Sequence, residues 1–212
     1  MKNNRKKNLY LPFKRFLDLL FSVILGIPAL VIVGACYIAI KLETKGPVFF
    51  VQERPGKNGK PFRLYKLRSM IVETERDGRA LSDFERMTKS GRIIRKLSFD
   101  ELPQILNILR GDMSFIGPRP LLMRYLPRYT PEQARRHEVR PGISGWAQVN
   151  GRNELTWEQK FENDVWYVDH VSFGLDLKIF WMTIVNVLKH QGINAGADET
   201  MGEFMGTEAV AT

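Results

Sequence analysis

The stretch that decides the fold runs from Arg95 to Pro120 and reads RKLSFDELPQILNILRGDMSFIGPRP. It places two adjacent carboxylates, Asp100 and Glu101, between Arg95 and Arg119. Prolines after the acidic pair and around the second arginine restrict the backbone where each segment begins. Arginine binds phosphate oxygens in a bidentate way and stays charged throughout. The stretch therefore predicts a site where a phosphate group is bound and transferred.

The same residues also have a purely structural interpretation. Ser98 followed by Glu101 fits a capping box, which would begin a helix that runs to about Arg110. Asp100 would then only complement the positive end of the helix dipole. Pro103 favours a slightly later start, because a proline deeper in the helix forfeits a hydrogen bond. On the local pattern alone, both interpretations remain open.

The arginines around the acidic pair favour the functional interpretation. A helix N-terminus attracts a bound phosphate, and Arg95 and Arg119 can screen the repulsion between a carboxylate and a diphosphate. Two neighbouring carboxylates can then divide the work. One attacks phosphorus as a nucleophile, and the other holds a Mg²⁺ that bridges diphosphate oxygens.

Composition limits the wider organisation. The 212 residues are enough for one well-buried core and do not require two complete domains. Lys and Arg number 32 against 23 Asp and Glu, so the net charge of +9 predicts anionic partners. Phospholipid headgroups and nucleotides fit. Nucleic acid does not, because no strand platform interleaves aromatic and basic residues. The only cysteine, Cys36, excludes an intrachain disulfide.

Residues 19–40 contain no charged side chain. A helix of about 22 residues, rising about 1.5 Å per residue, can cross a bilayer core of about 30 Å. Pro28 lies inside this segment and is expected to kink or break the helix. Both flanks are basic, so a re-entrant helix that bends at Pro28 and returns to the same side satisfies the positive-inside rule at both ends. A kinked span is the alternative, and a signal sequence would have a shorter apolar region.

Two short runs at residues 48–51 and 62–67, with a turn sequence at 54–59, predict a β-hairpin. Lys66 and Arg68 are two positions apart and are expected to point to one face. That face is either a solvated edge protected by charges or a surface directed at phosphate. A short polar helix is expected to begin at about Ser82.

Three downstream segments also carry predictions. Leu121–Tyr129 and Leu175–Lys189 are amphipathic and suit either a bilayer surface or an ordinary core. The glycine-rich segment Arg140–Asn153 is expected to be an active-site loop without regular structure, and Arg152 is a candidate for contacting the sugar or nucleotide.

Several motifs follow one another along nearly the whole chain. They are Lys14-Arg-Phe-Leu-Asp18, Arg54-Pro-Gly56, Tyr65-Lys-Leu-Arg-Ser-Met70, Ser98-Phe-Asp-Glu-Leu102, Gly111-Asp-Met-Ser-Phe-Ile-Gly-Pro-Arg-Pro120 and Arg140-Pro-Gly-Ile-Ser-Gly-Trp-Ala-Gln-Val-Asn-Gly-Arg-Asn153. In these motifs and in their order, the chain closely resembles the small monotopic phosphoglycosyl transferases of the PglC type, within the bacterial sugar transferase family. One departure is Ile27-Pro28, where the family commonly has Ser-Pro.

The resemblance implies a chemistry and assigns roles to residues. Asp100 corresponds to the nucleophile that attacks the β-phosphate of a UDP-sugar, and Glu101 to the Mg²⁺ ligand. Undecaprenyl phosphate would then take the phosphosugar from the aspartate. The resemblance assigns substrate binding to the basic residues Arg95, Arg119, Lys66 and Arg68.

The resemblance also implies an architecture and a location. We expect an α/β, mostly helical protein with a re-entrant membrane helix in residues 1–45 and a catalytic domain in residues 46–212. It would lie at the bacterial inner membrane, with the catalytic domain facing the cytoplasm. N-acetylated UDP-hexoses are the leading donor class. A non-catalytic basic membrane scaffold and a phosphohydrolase that uses the same acidic pair are the alternatives.

Overall fold

The computed structural model of the protein describes residues 9–151, 155–189 and 202–207. The α-helices are α1 (Tyr10–Glu43), α2 (Asp83–Arg86), α3 (Lys89–Lys96), α4 (Ile105–Arg110), α5 (Pro131–Ala134), α6 (Trp146–Val149), α7 (Trp157–His170) and α8 (Phe173–Leu188). The strands are β1 (Phe49–Pro55), β2 (Pro61–Leu67), β3 (Glu75–Arg76), β4 (Arg79–Ala80), β5 (Ser114–Ile116) and β6 (Gly142–Ser144). Short 3₁₀ helices occupy Lys57–Gly59, Phe99–Gln104, Met123–Arg128 and Arg135–Glu138. This mostly helical fold with one long apolar helix and a short hairpin confirms the predicted fold class.

The long helix α1 contains the apolar segment predicted from the sequence. Pro28 lies within it, and the chain remains helical on both sides of the proline. By length and composition, α1 is able to cross a membrane. Its buried residues recur every four or seven positions and so form one stripe, made of Lys14, Asp18, Ser22, Ala29, Cys36 and Ile40. Large apolar side chains outside this stripe are exposed from Phe16 to Leu42.

Both halves of α1 contact the same domain. In the N-terminal half, Asp18 Oδ1 accepts hydrogen bonds from Ser114 Oγ at 2.9 Å and from the Phe115 N–H at 3.1 Å. In the C-terminal half, Ile40 is buried in a cluster that includes Val48 and Ile94. Asp18 and Ile40 are separated by about 33 Å of helix at about 1.5 Å per residue. Residues that follow α1 in the chain therefore pack along one face of this helix over most of its length.

The predicted hairpin is confirmed. Strands β1 and β2 pair antiparallel, with Phe49 opposite Leu67, and the turn between them contains Asn58 in the left-handed region at φ 58°. Phe62 and Leu64 on β2 are buried against residues of α4 and the segment after it. Strand β2 also packs against the 3₁₀ helix Phe99–Gln104, and this contact brings the hairpin to the acidic pair.

The end of α1 is joined to the start of α3. Thr88 caps α3 by accepting a hydrogen bond from the Gly91 N–H, and Glu43 accepts from the N–H groups of Lys89 at 2.6 Å and Ser90 at 2.8 Å. These first-turn N–H groups have no partner within the helix, so a carboxylate there is favourable. The preceding helix, α2, begins with a capping box at Ser82, which confirms the predicted start.

The glycine-rich segment Arg140–Asn153 differs from its prediction. Instead of an irregular loop, residues 142–149 form β6, which pairs parallel with β5, and the short helix α6. The glycines allow this regular structure because they permit close backbone approach. A Cβ on Gly117, at the end of β5, would lie only 2.4 Å from the carbonyl oxygen of Arg140.

Residues Leu121–Tyr129 pack into the protein. Tyr125 is buried with Phe161 of α7 and Phe204 of the segment 202–207. Arg124 and Arg128 form ion pairs with Glu203 at 2.8 Å. Of the two alternatives for this segment, the structure therefore supports the core, and its two arginines pair with Glu203.

Helix α8 covers most of the second amphipathic segment, and much of its apolar face stays exposed. Ile179 is completely buried, and Asp176 lies inside, where it accepts hydrogen bonds from Tyr10 and Tyr167. The apolar side chains that remain exposed are Phe173, Leu177, Phe180 and Trp181. They recur at helical spacing on one face, and Phe173 also contacts Phe13 of α1.

Candidate active site

The acidic pair lies on the 3₁₀ helix Phe99–Gln104, directly after α3. Ser98 joins the two helices in the left-handed conformation, with φ 56°, and its side chain makes no cap hydrogen bond. The capping box suggested by the Ser98–Glu101 spacing therefore does not form, because the Glu101 side chain accepts hydrogen bonds from Lys66 and Arg119 instead. Non-glycine residues rarely adopt this conformation because of its steric cost. The turn redirects the chain so that Asp100 and Glu101 face strand β2.

Glu101 joins two of the predicted basic residues. Its Oε1 accepts a hydrogen bond from Lys66 Nζ at 2.8 Å and one from Arg119 Nη2 at 2.7 Å. Lys66 Nζ also lies 3.8 Å from Asp100 Oδ2. The Glu101 side chain is 17% exposed and that of Arg119 is 43% exposed, so the pair lies at the edge of solvent. Residues from three distant parts of the sequence thus meet around the acidic pair.

The two carboxyl groups have opposite pKa shifts. Burial raises the pKa of Glu101, but the charges of Arg119 and Lys66 outweigh it and hold the pKa at about 2. For Asp100, burial raises the pKa above its ordinary value, and the charge of Glu101 adds to that effect. Lys66 and the two arginines only partly offset it. Glu101 is therefore a permanent anion, whereas Asp100 is a more basic carboxylate. Such a separation is typical of carboxylates with different roles.

Arg95 occupies the last turn of α3, close to the acidic pair. It lines the same cavity as Asp100, and its charge favours the ionised form of that residue. This position agrees with the predicted role in phosphate binding.

Arg68 is directed elsewhere. Its guanidinium donates to the Lys45 carbonyl at 2.8 Å and to Thr44 Oγ1 at 2.7 Å, in the segment that follows α1. The expectation that Lys66 and Arg68 share one face is wrong, because Lys66 turns to Glu101 while Arg68 holds the end of α1. Arg152, the remaining predicted contact, lies outside the described residues.

A cavity of about 880 Å³ opens next to Asp100. One part of its lining is charged and includes Lys66, Arg95, Asp100, Glu101 and Arg119. Another part is apolar and comes from α1 and its neighbours, with Leu25, Pro28, Ala29, Ile32, Ile105 and Val187. Asp100 therefore faces a space that can hold a charged group and a hydrocarbon chain together.

A buried ion pair that the sequence motifs did not single out also lines this cavity. Arg136 and Asp164 are 2% and 4% exposed, and Arg136 Nη2 lies 2.6 Å from Asp164 Oδ2. The same nitrogen donates to the backbone carbonyl of Arg119 at 2.7 Å. Asp164 lies on the apolar face of α7 between Phe161 and Val165, and a charge in that position requires a buried partner. That periodicity was the available signal.

The acidic pair is compatible with Mg²⁺ that is bound together with substrate. Mg²⁺ is usually held by one or two carboxylates plus substrate phosphates and waters. The hydrogen bonds to Glu101 from the described residues both go to Oε1, so Oε2 is available as a ligand. Within the described residues, no cluster of three or more His, Cys, Asp or Glu side chains could hold a metal without substrate.

The arrangement places an acidic pair and basic residues in one cavity that also has an apolar wall. Comparison with known families agrees, because the model of the family described as bacterial sugar transferase matches residues 9–190. The chain belongs to this family. The resemblance inferred from its motifs is thereby confirmed.

Three relatives illustrate the similarity. The uncharacterized sugar transferase EpsL of Bacillus subtilis is 54% identical over 199 residues, which cover 94% of this chain and 98% of the relative. The UDP-N-acetylgalactosamine-undecaprenyl-phosphate N-acetylgalactosaminephosphotransferase of Aeromonas hydrophila is 42% identical over 85% of this chain but only 44% of its own length. The UDP-glucose:undecaprenyl-phosphate glucose-1-phosphate transferase of Caulobacter vibrioides is 40% identical over 82% of this chain and 69% of its own.

Proposed function

We propose that the protein transfers a sugar 1-phosphate from a UDP-sugar to undecaprenyl phosphate and releases UMP. One observation carries the proposal: Asp100, a carboxylate with a raised pKa, lies beside Lys66 in a cavity with charged and apolar walls. The names of the relatives from Aeromonas hydrophila and Caulobacter vibrioides describe donors and acceptors of these classes.

In the first step, an Asp100 carboxylate oxygen attacks the β-phosphorus of the UDP-sugar. A bond forms between that oxygen and phosphorus, and the bond from phosphorus to the bridging oxygen breaks. UMP departs with the electron pair, and the phosphosugar remains on Asp100. Lys66 and Arg119 line the same cavity as Asp100, so both are placed to balance the negative charge of the diphosphate.

In the second step, a phosphate oxygen of undecaprenyl phosphate attacks the same phosphorus. The bond to Asp100 breaks, the carboxylate is restored, and the sugar diphosphate remains on the lipid. Neither step requires net proton transfer, so Asp100 needs only to be ionised and desolvated. Burial supplies the desolvation, and Lys66 and the nearby arginines limit its effect on ionisation.

Mg²⁺ would be held by Glu101 and by the diphosphate oxygens, and it would withdraw charge from the leaving UMP. The relatives do not agree on one sugar, since their names specify N-acetylgalactosamine and glucose. Our proposal remains an N-acetylated UDP-hexose in the first membrane step of glycoconjugate assembly, including protein glycosylation or an extracellular polysaccharide.

We also propose that α1 enters and leaves the bilayer on one side, so that the catalytic domain is monotopic and faces the cytoplasm. The support is that the domain contacts α1 at Asp18 and again at Ile40. In a spanning helix, these contacts would lie on opposite sides of a bilayer core about 30 Å thick. The exposed apolar faces of α1 and α8 then meet lipid, and the catalytic site lies at the boundary reached by both substrates.

The topology can be tested with single cysteines placed at Lys6 and Lys45 in a Cys36→Ser background. An impermeant thiol reagent applied to intact cells and to inverted vesicles should label both positions only in the inverted vesicles. Labelling from opposite sides would show that α1 spans the membrane.

The chemistry can be tested by UMP release from a panel of UDP-sugars in the presence of undecaprenyl phosphate and Mg²⁺. Wild type should release UMP and should trap a radiolabelled phosphosugar on Asp100 when the lipid is omitted. Asp100→Asn should do neither. Sustained turnover without lipid would identify a phosphohydrolase, and no turnover with any UDP-sugar would favour a non-catalytic membrane scaffold.

A further inference from the structure

The segment Gly202–Thr207 contacts Trp157, a residue of the cavity lining, although it is beyond residues 9–190 that the family model matches. Its one buried side chain, Phe204, is 2% exposed and packs on four aromatic rings. The ring centroids lie 4.9 Å from Phe161, 5.7 Å from Trp157 and Tyr125, and 5.8 Å from Tyr129.

Polar contacts fix the segment at Phe204 and at the two residues before it. Glu203 pairs with Arg124 and Arg128 at 2.8 Å, and the Phe204 carbonyl accepts a hydrogen bond from Arg128. Before it, the indole N–H of Trp157 donates to the Gly202 carbonyl at 3.0 Å. A backbone held by ion pairs, hydrogen bonds and a buried ring is docked in one arrangement.

These contacts reach the cavity by two routes. Trp157 itself lines the cavity and is held by the Gly202 carbonyl and the Phe204 ring. The second route passes through Arg136, whose guanidinium carbon lies 5.7 Å from the centre of the Phe161 ring and 5.8 Å from that of Tyr129. Arg136 in turn holds the backbone carbonyl of Arg119.

We infer that Phe204 and Glu203 are positioning residues for the UDP-sugar and that the docked segment sets donor affinity. The inference rests on the proposed function, because it assigns the charged end of the cavity to the donor. The acceptor chain is placed at the apolar end, near Pro28 and Val187, which the segment does not contact through Phe204. Undocking the segment therefore weakens the donor site selectively.

The test compares Phe204→Ala and Glu203→Gln with Met205→Ala, whose side chain is 74% exposed and lies outside the aromatic cluster. We expect Phe204→Ala to raise the KM for the UDP-sugar about tenfold or more. Glu203→Gln should raise it severalfold, since it removes two ion pairs without touching the core. The KM for undecaprenyl phosphate should stay within twofold of wild type in every variant, and Phe204→Leu should recover most of the donor affinity.

A thermal-shift measurement on each detergent-solubilised variant separates positioning from unfolding. An unchanged donor KM in Phe204→Ala and Glu203→Gln would overturn the inference. Equal increases in the KM values of donor and acceptor would also overturn it, because they would indicate general loss of structure.

A different result would contradict the proposed function itself: the wild-type protein would release no UMP from any UDP-sugar. In that case, the positioning role of the segment can still be tested by measuring hydrogen exchange of the backbone amides between Arg119 and Tyr129. Phe204→Ala must accelerate that exchange about tenfold relative to Met205→Ala for the positioning role to stand. Equal exchange in the two variants would refute it.

Discussion

Lys66 and Glu101 are 35 positions apart in the chain, and a 2.8 Å hydrogen bond joins their side chains. The bond holds the ammonium group of Lys66 3.8 Å from Asp100. Glu101 therefore sets the position of the positive charge that most favours ionisation of the proposed nucleophile. One carboxylate of the pair controls the electrostatic environment of the other.

The first prediction concerns the pH dependence of activity. Asp100 must be ionised to attack, so kcat/KM falls as the pH drops through its pKa. Lys66 lowers that pKa, and removing the charge should therefore move the acid limb to higher pH. We expect Lys66→Met to shift the limb upward by about 1 unit. Lys66→Arg keeps the charge and should leave the limb near its wild-type position. A Lys66→Met profile with an unshifted acid limb would contradict this account.

A second prediction concerns Glu101 and Mg²⁺. Its pKa of about 2 keeps it ionised at neutral pH. Glu101→Gln removes a ligand charge and the anion that holds Lys66 and Arg119. We expect kcat to fall by about 10²-fold or more and the half-saturating Mg²⁺ concentration to rise by about tenfold or more. If Glu101→Gln lowers kcat with an unchanged Mg²⁺ dependence, Glu101 positions the basic residues but does not bind the metal.

The buried pair of Arg136 and Asp164 should dominate stability near the site. Asp164→Ala leaves the Arg136 guanidinium buried without its counterion, which is expected to destabilise the fold by about 3–5 kcal/mol. Arg79→Ala is the matched control, because it removes an exposed ion pair with Glu85 and should destabilise the fold much less than Asp164→Ala. Unfolding in detergent, followed by circular dichroism, measures both. Similar losses in the two variants would show that the buried pair has no special role.

Arg68 provides a prediction that separates anchoring from substrate binding. Arg68→Met removes hydrogen bonds to Thr44 and Lys45, so we expect a loss of about 1–3 kcal/mol in stability. The donor KM should remain within twofold of wild type. Arg119→Met, by contrast, should raise the donor KM strongly. A large increase in donor KM for stable Arg68→Met would restore the substrate-binding role predicted from sequence.

Local patterns predicted the elements that depend on local physics. The uncharged run at residues 19–40 predicted α1, the turn residues predicted the β1–β2 hairpin, and Ser82 predicted the start of α2. Ser98 shows where this reasoning fails, since Ser98 and Glu101 have the spacing of a capping box but Glu101 has a stronger alternative in two cations. Electrostatics from distant parts of the chain overrode a local preference.

The other differences also arise from contacts between distant residues. Arg68 binds the segment after α1, which is more than twenty positions earlier in the chain. Helix α8 can bury Asp176 because Lys14 of α1 supplies a buried counterion at 2.5 Å and Tyr10 and Tyr167 donate hydrogen bonds to it. Phe204 packs against residues in or next to the 3₁₀ helix Met123–Arg128 and in α7, up to 79 positions away in the chain. The burial of its ring therefore could not be predicted from the neighbouring sequence.

The packing of Phe204 also sets an order of events during synthesis. Translation proceeds from the N-terminus, so α1 is made and can reach the membrane before any residue of the acidic pair exists. Asp100, Glu101 and Arg119 follow, but the aromatic cluster beside them stays open until residue 204 has left the ribosome. A ribosome-bound chain therefore already contains the acidic pair while the aromatic packing around Trp157, a residue of the cavity lining, is still incomplete.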